Sequence, residues 1–180
     1  MDPEIERLVY QMRKEVYRDL EKGKEIMPRG WFFVNGKLGA VEIAIPFVER
    51  FFDSPQTKDL LSSYVAKKWA EYKWKGSYSL LAVVIMSDQW VTMRSTEGMS
   101  DEEVNEMIER SGPPRNDKNK MEFITFMVFM VDVKKAYLFR YIREKGRIRW
   151  AEEMEDIELA DFGRFKDMYP KQVEAPQSNV

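Results

Sequence analysis

Two apolar runs, Ser79 to Ser87 and Phe123 to Val131, constrain this chain more than any other feature of its sequence. Both are strand-sized, far short of the ~20 residues that a membrane-spanning helix needs. The stretch Tyr78 to Met86 is almost continuously apolar and β-branched toward its end. A strand with one wet face alternates apolar and polar residues; an unbroken run predicts a central strand covered on both faces.

The 180 residues suffice for one well-buried core and not for two comfortable domains. Ile5, Leu8, Val9, Met12, Val16 and Leu20 recur at spacings of three and four, predicting a helix over 3–22. Asp2 is its N-cap, Pro3 suits its first position and Gly23 stops it. Trp31-Phe32-Phe33-Val34, Asn35-Gly36 and Leu38 to Ile45 predict a hairpin, because Asn-Gly tolerates the positive φ of a tight turn. Ser54-Pro55 opens a second helix through about Lys73, with Leu60, Leu61, Tyr64, Val65, Trp69 and Tyr72 as its buried face. Trp90 to Met93 either continues the central strand after a break or forms the next one. Ser100-Asp101-Glu102-Glu103 is a capping box for a short acidic helix.

Residues 111–120 form the clearest loop. Strands follow over Glu122 to Asp132 and Ala136 to Arg143, with a further short one at Ile148 to Ala151. A short helix near Ala160 to Met168 closes the domain. Hairpins predominate in this order, which predicts an α+β domain. It would hold a mainly antiparallel sheet of five to six strands, with helices packed on one face. The domain would span 1–169, and 170–180 would be a loose tail.

Composition narrows the chemistry. The chain has no histidine and no cysteine. That excludes disulfides, thiolate nucleophiles, imidazole bases, and zinc or iron–sulfur sites built on either residue. A catalytic site would have to use carboxylates, Lys, Tyr, Ser, Thr or Arg, with a metal limited to a hard cation held by oxygen. No cofactor is expected. The 29 basic and 31 acidic residues leave a net charge of −2, too little to draw the whole molecule to nucleic acid or a membrane. Met1-Asp2-Pro3-Glu4 is acidic and helix-starting rather than signal-like, so residence in the cytoplasm is the expectation.

Three constellations stand out. Asp88, in Ser87-Asp88-Gln89-Trp90, follows one apolar run, and Asp132 follows the other with Lys134 two residues on. Acids on two strands with a nearby Lys are the arrangement by which metal-dependent nucleases hold Mg²⁺ and stabilise developing charge. The weightier alternative is structural, since Asp-Val-Lys-Lys also makes an ordinary polar turn. Second, Lys134, Lys135, Arg140, Arg143, Lys145, Arg147 and Arg149 form a basic ribbon interleaved with Tyr137, Tyr141 and Trp150. Such a ribbon can follow phosphates and stack bases, but the acids from Glu152 to Asp161 follow at once and can neutralise it. Third, the Trp, Tyr, Phe and Met supply, with Trp90, Trp69 and Tyr72 foremost, suits contact with a protein partner or a second copy. Glu97 to Glu109 lacks calcium-loop spacing and is expected to be a solvated helix face.

The segment Val83-Val84-Ile85-Met86-Ser87-Asp88-Gln89-Trp90 resembles a set of phage and bacterial proteins of unassigned activity. These share an N-terminal helix, a hairpin, a Lys-bearing helix and an apolar strand ending Ser-acid-x-Trp. A polar loop then leads into a long strand, as Pro113-Pro114-Arg115-Asn116-Asp117 leads to Phe123 here. The resemblance covers roughly residues 5–145 and implies no activity. The order helix-hairpin-helix-strand is also similar to deaminase-like folds, but their His and Cys zinc ligands are missing. The leading expectation is a non-enzymatic protein-binding or self-associating module. A Mg²⁺-dependent phosphodiesterase using Asp88, Asp132 and Lys134 is the first alternative, and nucleic-acid binding through 134–149 the second.

Overall fold

A computed structural model describes residues 3–73, 79–91, 97–111, 118–158 and 168–170. The stripe that predicts the first helix is its buried face. All six residues from Ile5 to Leu20 are buried along α1 (Pro3–Glu21). Gly23, at φ +70°, ends it by turning its N–H back to the Leu20 carbonyl. The hairpin β1 (Arg29–Gly36) and β2 (Gly39–Ile45) follows, then a 3₁₀ turn, Val48–Phe52. Helices α2 (Pro55–Asp59) and α3 (Leu61–Lys73) precede β3 (Ser79–Val91) and α4 (Asp101–Ser111). Strands β4 (Met121–Phe129), β5 (Lys134–Glu144) and β6 (Arg147–Glu158) complete the order.

The described strands form one six-stranded sheet, β2-β1-β3-β4-β5-β6, antiparallel throughout. The fold is therefore α+β, as the hairpin-rich order predicts. Helix placement differs from expectation. On one face α1 packs against Phe33, Ala82, Val84, Met86, Ile124, Phe126 and Phe139. On the other, Leu61, Val65 and Trp69 of α3 pack against Phe32, Val83, Ile85, Met127 and Phe129. Helices thus cover both faces, which is why β3 and β4 read as unbroken apolar runs.

Three local expectations also shift. The hairpin turn is Lys37-Leu38, two residues beyond Asn35-Gly36, and Gly39 supplies the positive φ at +118°. The second helix breaks at Leu60, which stands 58% exposed instead of buried. The strand expected at Ile148 to Ala151 runs the full length of β6.

The predicted helix near 160–168 lies, except for Met168, outside the described residues, as do 112–117 of the predicted loop and 171–180 of the tail. Met168 is buried beside α3, and the Tyr169 hydroxyl donates to the Leu80 carbonyl at 2.7 Å. No described helix is long and apolar enough to cross a membrane.

Ser54 caps α2 reciprocally. Its Oγ accepts from Thr57 N–H at 3.1 Å, and Thr57 Oγ1 accepts from Ser54 N–H at 3.1 Å. Ser54→Ala removes this cap and should cost about 1 kcal/mol in a urea melt.

Candidate functional site

The segment Ser87-Asp88-Gln89-Trp90 does not end β3; it extends it. Asp88 pairs with Ile124, Gln89 with Phe123 and Trp90 with Glu122 of β4. On the other side β1 begins at Arg29, opposite Met86. The last five residues of β3 therefore overhang β1. Period-two alternation puts Asp88 and Trp90 on the same face as Val84 and Met86, the α1 face. Tyr141 pairs with Glu122 and lies on that face too, with Arg143 two residues on.

These residues meet. The Tyr141 hydroxyl lies 2.9 and 2.8 Å from the two oxygens of the Asp88 carboxylate and donates to it. Arg143 Nη2 donates to the Tyr141 oxygen at 3.4 Å, and Arg143 Nε stands 3.8 Å from Glu122 Oε1. Beside them the Trp90 indole is 41% exposed, with Lys120 Nζ 3.5 Å from its ring centroid.

Burial is the main force on the Asp88 and Tyr141 titrations. It raises the Asp88 carboxyl above its ordinary value, helped by the Glu122 charge and opposed by the Tyr141 hydrogen bond and by Arg143. Burial, then the Asp88 carboxylate, pushes the Tyr141 phenol far up, so it stays protonated and donates. Tyr141 in turn raises Arg143. The result is a chain of donors, Arg143 to Tyr141 to Asp88, that links β3 to β5 across β4. Its chemistry is that of a brace: a half-buried carboxylate held by a phenol that does not ionise.

The chain matches no family model, no curated protein and no solved structure.

Asp132 and Lys134 lie elsewhere. Ile124, the partner of Asp88, and Phe129 are five residues apart on β4, roughly 17 Å, and Asp132 sits in the turn beyond Phe129. The structure therefore does not bring Asp88, Asp132 and Lys134 together, and the two-acid Mg²⁺ site has no geometry to stand on. Among the described residues no three acidic side chains cluster as metal ligands.

Trp69 is core, 7% exposed and 5.3 Å from Phe32, so it presents no binding surface; Tyr72 is half-buried and stacks on it at 6.5 Å. The basic ribbon is divided and met by acids. Lys134 and Lys135 stand at one end of β5 and Arg143 at the other. Arg140 is half-buried opposite Glu152, Arg147 is exposed opposite Glu144, and Arg149 Nη2 is 3.5 Å from Glu144 Oε1.

The sequence alone does not mark Tyr141, Glu122 and Lys120 as partners of Asp88 and Trp90. The available signal is parity along β5, which puts Tyr141 and Arg143 on one face. On the α3 face, Ser87 and Thr125 face each other across β3 and β4, both buried. Thr125 Oγ1 has no hydrogen-bond partner there.

Proposed function

We propose that this chain is a non-enzymatic binding module that takes a protein partner, in the cytoplasm, at the overhanging end of β3. The observation that carries the proposal is Trp90: a large indole, 41% exposed, on a strand of the sheet rather than on a loop. Exposed Trp on a rigid scaffold loses little conformational freedom on binding and is enriched among the residues that dominate interface energy. The Asp88–Tyr141–Arg143 brace supports the strand beneath it, and Lys120 and Glu122 supply a polar rim.

Tagged chain recovered from its host should bring down a discrete protein. Trp90→Ala should weaken that complex by about 2 kcal/mol or more, roughly thirtyfold in Kd. The thermal melt of the free chain should be nearly unchanged. Recovery of nothing above background, or equal recovery by Trp90→Ala, overturns the proposal.

A further inference from the structure

The two outer strands of the sheet are built differently. By sequence β6 carries Arg147, Arg149, Glu152, Glu153, Glu155, Asp156 and Glu158, a charged strand of the kind that discourages pairing with a neighbour. The opposite outer strand, β2, reads Gly-Ala-Val-Glu-Ile-Ala-Ile and has one charge, Glu42. Val41, Glu42 and Ala44 are exposed along it. An apolar outer strand of this kind is a template for another strand.

Backbone direction is set by one contact. The Ala40 N–H points away from β1 and donates to Glu4 Oε2 of α1 at 2.9 Å. The register of β2 on β1 is regular, so the amides of Glu42 and Ala44 point outward in the same way. No described strand lies beyond them.

We propose that this edge is a two-fold interface between two copies of the chain, with β2 antiparallel to β2 and Ile43 opposite Ile43 of the second copy. That register places each Glu42 opposite Ala44 of the second copy, so the like charges do not meet. It forms one hydrogen-bonded pair on each side of the axis. The next outward position, Ala40, falls opposite Pro46 of the second copy, which has no N–H to give, and the Ala40 N–H is already held by Glu4. The ladder therefore ends where its donors end.

The flanks are self-complementary as well. Leu38, fully exposed, precedes β2, and Phe47, 54% exposed, follows it. In that register Phe47 of the second copy falls opposite Gly39, one residue from Leu38, so the two exposed apolar side chains flank the same end of the ladder. An isologous interface requires such a match between the two ends of one strand, and this is why a second copy is the occupant. The interface does not use Trp90, so it stands or falls apart from the binding proposal.

Sedimentation velocity over a concentration series tests it on the full chain. The wild type should pass from the 21.4 kDa monomer to a species of twice that mass. Ala44→Glu puts two Glu–Glu pairs into the dimer without touching the core, and should weaken association on the order of tenfold. Glu42→Lys added to Ala44→Glu turns both pairs into Lys–Glu and should restore it. Trp90→Ala should dimerise like the wild type. A wild type that stays monomeric overturns the proposal. So does an Ala44→Glu chain that dimerises as before, or a double variant that is not rescued. Near-identical circular dichroism of all variants keeps misfolding out of the comparison.

Discussion

Trp69→Ala should cost about 3–5 kcal/mol of folding stability, the typical loss when a buried Trp or Phe is truncated. That is a large part of the roughly 5–15 kcal/mol that holds a domain of this kind together. Trp69 is the last member of a stripe, Leu61, Val65 and Trp69, that α3 lays on the sheet at successive helical turns. Its ring meets Phe32 of β1 at 5.3 Å and Tyr72 at 6.5 Å, so truncation opens a void bounded by both the helix and a central strand. The void cannot close easily, because Phe32 is fixed by its pairs with Ile43 and Val83. A urea titration followed by far-UV circular dichroism measures the loss directly. If Trp69→Ala instead keeps wild-type stability and loses only a partner, the indole is a contact residue and its place in the core is wrong.

The sequence shows α1 and the strand-sized runs clearly because their signals are local. Six apolar residues at helical spacing admit one buried face, and all six are buried. The apolar run of β3 also carries the information that both faces are covered, which already implies helices on both sides of the sheet. The hairpin turn was displaced for the same reason. Phe32, Phe33 and Val34 are each at most 2% exposed, so no alternation marks the register, and Gly36 and Gly39 offer rival turn positions. Leu60 fits the helical stripe by spacing, yet the chain tightens there, with Leu60 N–H donating to the Thr57 carbonyl, and the side chain swings into solvent.

The candidate site is less legible because its bonds are distant in sequence. Asp88 and Tyr141 are 53 residues apart and lie on strands separated by β4. A polar Ser-Asp-Gln after an apolar run looks like a strand end unless Tyr141 is known to be waiting for the carboxylate. The acids after Trp150 read in the sequence only as charges able to neutralise the basic ribbon, but β6 runs through them beside β5, with two register shifts, and sets Glu152 opposite Arg140. Distance also removes the two-acid metal site: Asp88 and Asp132 each follow an apolar run, but β3 and β4 are antiparallel neighbours, so the two runs finish at opposite ends of the strand pair.

Tyr141→Phe should destabilise the chain by about 1–3 kcal/mol at neutral pH, and the loss should grow from acid to neutral conditions. The phenol is the donor that both Asp88 oxygens face at 2.8 and 2.9 Å, and phenylalanine leaves the half-buried carboxylate without it. Asp88 already titrates above its ordinary value of 3.8 because burial disfavours its charge. The native state therefore holds this proton to higher pH than the unfolded chain does. Its contribution to stability is fullest below the unfolded value, falls as pH rises through the raised folded value, and is level above it. Removing Tyr141 removes the hydrogen bond that opposes this shift, so the folded value climbs further and the decline both deepens and extends upward in pH. Asp88→Asn has no proton to lose and should flatten the decline. Added to Tyr141→Phe, it should recover most of the neutral-pH loss, since the two residues act as one unit. Urea midpoints of the four chains across the acid to neutral range decide the matter. A Tyr141→Phe loss that is the same at every pH, or a decline that persists unchanged in Asp88→Asn, would show that Asp88 and Tyr141 are not coupled as the structure places them.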